Sequence, residues 1–267
     1  ELRVAVVGCG GTGSAVAEQL VRLGIRNLVL FDADSLTESN VTRVYGSTPK
    51  DVGAPKVKIL KRHLQAIAPS LTCLTFQSMI TLKDTARQLT SCDLIFGCTD
   101  DNAGRLVLSR LSSFFLTPVI DLGIMLSSDS AHNLIGIDGR ITTLTPGAAC
   151  LVCRGRVDLA RASSELKTPT ERKRLEAEGY APALGATEPA VVAFTTAVAA
   201  AGLNELLERL IGYGPAPRPS ETLLRMHERE VSTNLAPPRA GHYCDPKAQK
   251  YWVANNDPFL EQLWPTI

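Results

Sequence analysis

Arg3-Val4-Ala5-Val6-Val7 runs directly into Gly8-Cys9-Gly10-Gly11-Thr12-Gly13-Ser14, an apolar run that breaks on glycines and resumes as helix-forming sequence. This order predicts a strand, a tight turn and a helix N-terminus. Such a turn offers backbone N–H groups and the positive end of a helix dipole to an anion, most often a nucleotide phosphate. Glycine is required because the backbone turns sharply and approaches its ligand with no Cβ in the way. Gly8-x-Gly10-x-x-Gly13 also satisfies the dinucleotide fingerprint, so the motif by itself leaves open which nucleotide is bound.

The rest of the first half alternates apolar strand-like runs with helical stretches, the pattern of a parallel α/β sheet. Ser14–Leu23 reads as a helix ended by Gly24, and Asn27–Phe31 as the second strand. Val52–Ala68 reads as an amphipathic helix, Leu71–Phe76 as a strand, and Thr81–Asp84 as a capping box opening a short helix. Asp93–Phe96 is a buried strand, Ala103–Phe115 a helix and Pro118–Gly123 a strand. Leu134–Ile137 and Arg140–Leu144 flank Asp138-Gly139, a hairpin signal, and Thr222–Arg229 reads as one further strand. The expected fold is therefore a Rossmann-like α/β mixed sheet, parallel in its N-terminal half and antiparallel after it, with helices on both faces. Residues 1–236 form the main domain, with a charged crossover over about 154–186, and 237–267 form an irregular tail.

A chain of 267 residues suits one large α/β domain, alone or with a small appendage. A net charge of +1 gives no electrostatic case for nucleic acid or an anionic membrane as partner. The longest uncharged run, Pro189–Asn204, is too short to span a bilayer and reads as a buried helix. Seven cysteines, an odd number, with no leader sequence in view point to a reducing, cytoplasmic setting. The chain opens on a strand without an initiator Met, which suggests that residues upstream are missing.

Ligands of parallel sheets sit at the carboxyl ends of the strands. Asp32 closes the second strand and is placed to accept from ribose hydroxyls, with an N-cap role as the alternative. Arg43 in Ser39-Asn40-Val-Thr-Arg43 and Lys56 in Gly53-Ala-Pro-Lys56 add cations that a pyrophosphate on one helix dipole does not need. A triphosphate does need them, as a fork donor and a point charge. An oxidoreductase using NAD(P) leaves these cations unexplained. Asp100 follows the buried strand and suits Mg²⁺, which binds through one or two carboxylates plus phosphate oxygens. Asp101 is the alternative helix N-cap.

In order and approximate spacing, GCGGTGS, DAD, SNVTR, GAPK, CTDDNAGR and CLVC resemble the ThiF/MoeB/HesA family of E1-like adenylyltransferases, over roughly Val4–Glu230. The resemblance implies ATP- and Mg²⁺-dependent adenylation of the C-terminal glycine carboxylate of a ubiquitin-like protein, releasing pyrophosphate. By position, Gly8, Gly10, Gly11 and Gly13 would form the phosphate turn and Asp32 would bind ribose. Asn40, Arg43 and Lys56 would hold the triphosphate, Asp100 the Mg²⁺, and Asp101 would line the same site. Arg43, Lys56 and Asp100 would carry catalysis. A carboxylate attacking phosphorus needs no general base, which agrees with the absence of His from these motifs. The alternatives are adenylation of a peptide or tRNA-borne carboxylate, and a non-catalytic nucleotide-binding scaffold.

Cys150-Leu-Val-Cys153 has zinc-ligand spacing. The family completes a structural Cys₄ site with a second C-x-x-C, where this chain has only His242-Tyr-Cys244. Cys150, Cys153, Cys244 and His242 would then bind Zn²⁺ as Cys₃His, against a metal-free pair of thiols. Full E1 enzymes carry a thioester cysteine, often in the crossover, but 154–185 has none. The enzyme would stop at adenylation, pass its adenylate to another thiol, or have that cysteine substituted or outside this chain. The family also implies a dimer or pairing with a related domain, an E2-like protein as a further partner, and an N-terminal Arg that this chain does not show. Ile120–Gly123 and Pro146–Gly155 look closer to the E1-like proteins of bacterial ubiquitin-like conjugation operons than to the sulfur-carrier enzymes of cofactor synthesis.

Overall fold

The computed structural model describes residues 2–131, 133–168, 170–171, 174 and 191–251. Its core is one eight-stranded sheet in the order β3-β2-β1-β4-β5-β6-β7-β8. The strands are β1 (Arg3–Val7), β2 (Asn27–Phe31), β3 (Thr72–Phe76), β4 (Leu94–Gly97), β5 (Val119–Ser128), β6 (Leu134–Leu144), β7 (Glu221–Arg225) and β8 (Glu230–Asn234). β1 to β5 pair in parallel and β5 to β8 antiparallel, as the sequence pattern predicts.

Period-two alternation sorts the apolar strand residues onto two faces. Val4 and Val6 of β1, with Leu28 and Leu30 of β2, pack beneath α1 (Gly11–Arg22), α2 (Lys56–Ile67) and the helix Val192–Ile211, here α6. Ala5, Val7, Val29 and Phe31 turn to the other face, under α3 (Lys83–Leu89), α4 (Asn102–Phe114) and α5 (Leu159–Glu165). Both faces of the parallel half are thus buried, which is why its strands are continuously apolar. Each fully buried aliphatic side chain there contributes about 1.5–3 kcal/mol. Among the described residues no helix is long and apolar enough to cross a membrane.

Four local expectations are corrected. Asp138-Gly139 is not a turn: β6 runs unbroken through it, and Gly139 pairs with Ile124 and Leu224. A Cβ on Gly139 would lie 2.5 Å from Val198 Cγ2, so the glycine admits α6 onto the sheet. The hairpin turn falls earlier, where the Asp129 carboxylate accepts from the N–H groups of Ala131 and Asn133. Thr222–Arg229 is not one strand, because the chain reverses after Arg225, with Arg229 left-handed at φ +58°, and returns as β8. Thr81 caps nothing: α3 starts at Lys83 behind Leu82, and Thr81 is buried. The capping box lies instead at Thr48 and Asp51. α2 starts at Lys56 rather than Val52, since Gly53 is left-handed at φ +91° and Pro55 precedes the helix. Of the long crossover, α5 and its flanks are described, whereas 175–190 and the tail beyond 251 lie outside the described residues.

Candidate nucleotide and metal sites

The glycine turn is held by contacts that only glycine tolerates. Gly8 has φ +87°, and a Cβ on it would meet Cys98 O at 2.6 Å. A Cβ on Gly13 would sit 1.7 Å from Gly8 O. Gly8 and Gly13 therefore let the turn close against β4, and Gly13 does not line the cleft. Gly10 and Gly11 do line it; Gly10, the N-cap of α1, has no atom within 4 Å of where its Cβ would be. The first turn of α1 carries no acidic residue and no side-chain cap, so its N–H groups face the cleft uncompensated.

Around this turn the parallel strands deliver their ends into a cleft of ≈520 Å³. Gly8, Gly10, Gly11, Asp32, Asn40, Arg43, Lys56, Asp100 and Asp101 all line it. Asp32 accepts from the Cys9 N–H at 2.6 Å and the Asp34 N–H at 2.8 Å, bracing both turns at once. Burial pushes its carboxyl up from the usual range, against the charge of Lys56 and those two N–H donors. Each of its oxygens keeps a lone pair for a further donor. Arg43 donates to Ser39 O at 2.8 Å, and Lys56, only 9% exposed, pairs with Asp34 at 2.7 Å.

The other strand–helix junction differs. Asp101 is the N-cap of α4, accepting from the Gly104 N–H and the Thr99 hydroxyl. Its carboxylate is thus engaged at the helix start, the N-cap role expected as its alternative, while the residue still lines the cleft beside Asp100. Asp100 is exposed and makes no hydrogen bond or ion pair among the described residues. The cleft wall carries four carboxylates (Asp32, Asp34, Asp100 and Asp101) against three cations (Arg43, Lys56 and Arg105). A polyanion entering such a cleft needs a divalent cation, and a hard oxygen donor such as Asp100 fits Mg²⁺.

Several lining residues were not anticipated. Asp34 partners Lys56, and Thr195 on α6 packs where a Gly11 Cβ would be 3.0 Å away. The far end of the cleft is formed by Leu122–Leu126 of β5 and by Arg105. Beneath them Asp121, fully buried, binds Arg140 at 2.6 Å with Arg105 at 3.8 Å. Arg105 stands in the CTDDNAGR motif and was legible as a residue there; Thr195 lies far along the chain and gave no local signal. Burial pushes the thiols of Cys9 and Cys98 up, which disfavours a thiolate at either; Cys9 is fully buried, whereas Cys98 is half-buried and lines the cleft.

Cys150, Cys153, His242 and Cys244 converge with their ligand atoms all within 4.8 Å of one another. His242 Nδ1 lies 3.6, 3.4 and 3.3 Å from the sulfurs of Cys150, Cys153 and Cys244. Cys153 and Cys244 sulfurs are 3.6 Å apart, far from disulfide contact. Bonds of about 2.3 Å to sulfur and 2.0 Å to nitrogen put tetrahedral ligand atoms about 3.5–3.8 Å apart, so the set fits zinc. Hydrogen bonding from Cys244 holds the Cys150 thiol well below its ordinary value, the direction that suits a metal ligand. Arg154 and Arg156, just past this knuckle, reach Glu221 of β7 at 3.5 and 3.1 Å and tie it to the sheet.

The ThiF family profile matches residues 1–245. "Ubiquitin-like modifier-activating enzyme 5" of Bombyx mori is 29% identical over 205 residues, covering 72% of this chain and 48% of that protein. The protein of the same name in Arabidopsis thaliana is 28% identical over 210 residues, covering 72% and 45%. The chain thus spans about half the length of these curated relatives. In fold it is similar to E. coli MccB solved with ATP, at TM-score 0.68 and 16% identity over 91% of this chain and 67% of that one. PaaA is similar at TM-score 0.61 and 17% identity, covering 88% and 73%.

Proposed function

Because this chain belongs to the ThiF family, the E1-like adenylyltransferase class, we propose that it adenylates the C-terminal carboxylate of a ubiquitin-like protein with ATP. The observation that carries the reading is that one cleft is lined at once by an uncapped helix N-terminus, by the cations Arg43 and Lys56 and by the unengaged Asp100. Relatives named as ubiquitin-like modifier-activating enzymes support this acceptor.

In this reading Gly10 and Gly11 meet the phosphates through their backbone, and Asp32 receives ribose hydroxyls on the lone pairs left free by Cys9 and Asp34. Lys56 exchanges Asp34 for phosphate oxygens, and Arg43 with Asn40 holds the triphosphate. Asp100 would hold Mg²⁺, which neutralises charge on the phosphates and the departing pyrophosphate. The substrate carboxylate oxygen forms a bond to the α-phosphorus as the bond from that phosphorus to the bridging oxygen breaks. Pyrophosphate carries off the electron pair. No proton moves, so no general base is required, and positioning with charge stabilisation supplies the rate. Cys150, Cys153, His242 and Cys244 would hold a structural Zn²⁺ that clasps the chain past Pro237 to the knuckle.

The test is ATP–pyrophosphate exchange with Mg²⁺ and a ubiquitin-like protein ending in glycine. Exchange is expected only with that protein, and to fall by about 10²-fold or more in Asp100→Ala. Exchange that is indifferent to the protein, or unaffected by Asp100→Ala, overturns the reading. Zinc is checked by metal analysis: one ion per chain, lost in Cys153→Ser together with a lowered Tm.

A further inference from the structure

The start of α4 is held by a segment from elsewhere in the chain. α5 follows the cysteine knuckle, and both its ends grip Asn102, the first residue of α4. The Asp158 N–H donates to Asn102 Oδ1 at 2.9 Å, and Asn102 Nδ2 donates to Glu165 Oε1 at 3.2 Å. The second oxygen of Glu165 accepts from the Ala103 N–H at 2.8 Å. Asp158 itself caps α5, accepting from Ala160 and Arg161. Val157 and Ala162 are buried with Leu106 and Val107 of α4, which fixes the helix pair side by side.

The consequence lies in where this grip falls. Asn102 is two residues from Asp100 along the chain, and Asp101 between them is tied only within its own turn, by its cap on Gly104 with Thr99 and by the Arg105 N–H on its carbonyl, among the described residues. Ala103 N–H, an orphan donor of the helix start, is satisfied by Glu165 and not by the turn itself. The position of Asp100 therefore depends on α5 being seated.

We propose that Glu165 is a positioning residue of the cation end of the cleft. By seating α5 on α4 it holds the Asp100-Asp101 turn, so that the described beginning of the crossover and divalent-cation binding are thermodynamically coupled. The inference rests on the assignment of Asp100 to Mg²⁺. Glu165→Gln is the discriminating change. A carboxylate accepts at both oxygens, whereas an amide sets a donor against Asn102 Nδ2 while still accepting from Ala103.

ATP affinity is measured with Mg²⁺ and with EDTA, in the wild type and in Glu165→Gln. The tightening produced by Mg²⁺ is expected to shrink at least about fivefold in the variant, while affinity in EDTA stays the same. A purely structural role would lower both affinities or neither. Coupling is reciprocal, so Mg²⁺ with ATP should slow hydrogen exchange of α5 amides in the wild type more than ATP in EDTA does. That arm needs no variant. An unchanged Mg²⁺ tightening in Glu165→Gln, or α5 exchange indifferent to Mg²⁺ in the wild type, overturns the proposal. If the wild type itself shows no Mg²⁺ tightening, the Asp100 assignment falls too, whereas tightening that Glu165→Gln leaves intact removes only the α5 coupling.

Discussion

The two strand–turn–helix junctions at the heart of the sheet, β1 into α1 and β4 into α4, have the same parallel topology and opposite chemistry. At the first, glycine occupies the N-cap, no acid stands in the first helical turn, and the N–H groups point into the cleft. At the second, Asp101 caps Gly104 and Glu165 caps Ala103, so the helix start is already satisfied by two carboxylates. A helix N-terminus is an anion site only while its donors remain unspent. One junction is thus suited to phosphate, and the other turns an acid, Asp100, toward the same space. The pair gives the cleft a polarity that neither motif has alone.

The comparison can be broken by making the first junction resemble the second. Gly10→Asp is expected to cap α1 and leave Tm unchanged or slightly raised, since Asp exceeds Gly at an N-cap by only a few tenths of a kcal/mol. The same carboxylate would stand beside the phosphates, at a cost of about 3–4 kcal/mol at an effective dielectric near 20. ATP affinity should fall about 10²-fold or more by titration calorimetry, and unimpaired binding would sink the view of α1 as the phosphate end.

A smaller effect separates the glycines by role. Gly13→Ala drives a Cβ to 1.7 Å from Gly8 O, and the backbone has to shift, so chemical denaturation should show a loss of about 1–3 kcal/mol or more. Gly10→Ala meets no atom within 4 Å and should change stability by well under 1 kcal/mol. Equal losses in the two variants would show that the turn is not held by the Gly8–Gly13 contact. The smallest effect belongs to Asp101. Asp101→Ala should cost about 1 kcal/mol and Asp101→Asn much less, because either side chain can cap but alanine cannot. Loss of Mg²⁺ tightening in Asp101→Asn as large as in Asp100→Ala would remove the distinction drawn between the two acids.

The chain's local chemistry was legible where a short segment defines its own geometry. Val4–Gly13 demands a strand, a turn and a helix in any fold, and the strand-end positions of Asp32 and Asp100 follow from counting along parallel βα units. Cys150 and Cys153 sit on one knuckle by spacing alone. Where an expectation failed, a long-range contact outweighed a local signal. Asp138-Gly139 has the sequence of a turn, yet α6 needs the missing Cβ in the middle of β6. Thr81 has the sequence of a cap, but it is buried and α3 begins later.

Sequence by itself determined the βα order, the glycine geometry of the first turn and the strand-end positions of Asp32 and Asp100. These rest on backbone conformation and near-neighbour spacing. Of the two adjacent acids, the local cap the sequence offered is realised at Asp101, which is spent on Gly104 and Thr99 while Asp100 is not. Tertiary structure decided that His242 and its neighbour Cys244 meet the sulfurs of Cys150 and Cys153 from across the chain, and that α5 grips Asn102. Hydrogen-bond partners and ligand sets are closed by residues tens of positions away, and no local pattern encodes which donor will find which acceptor.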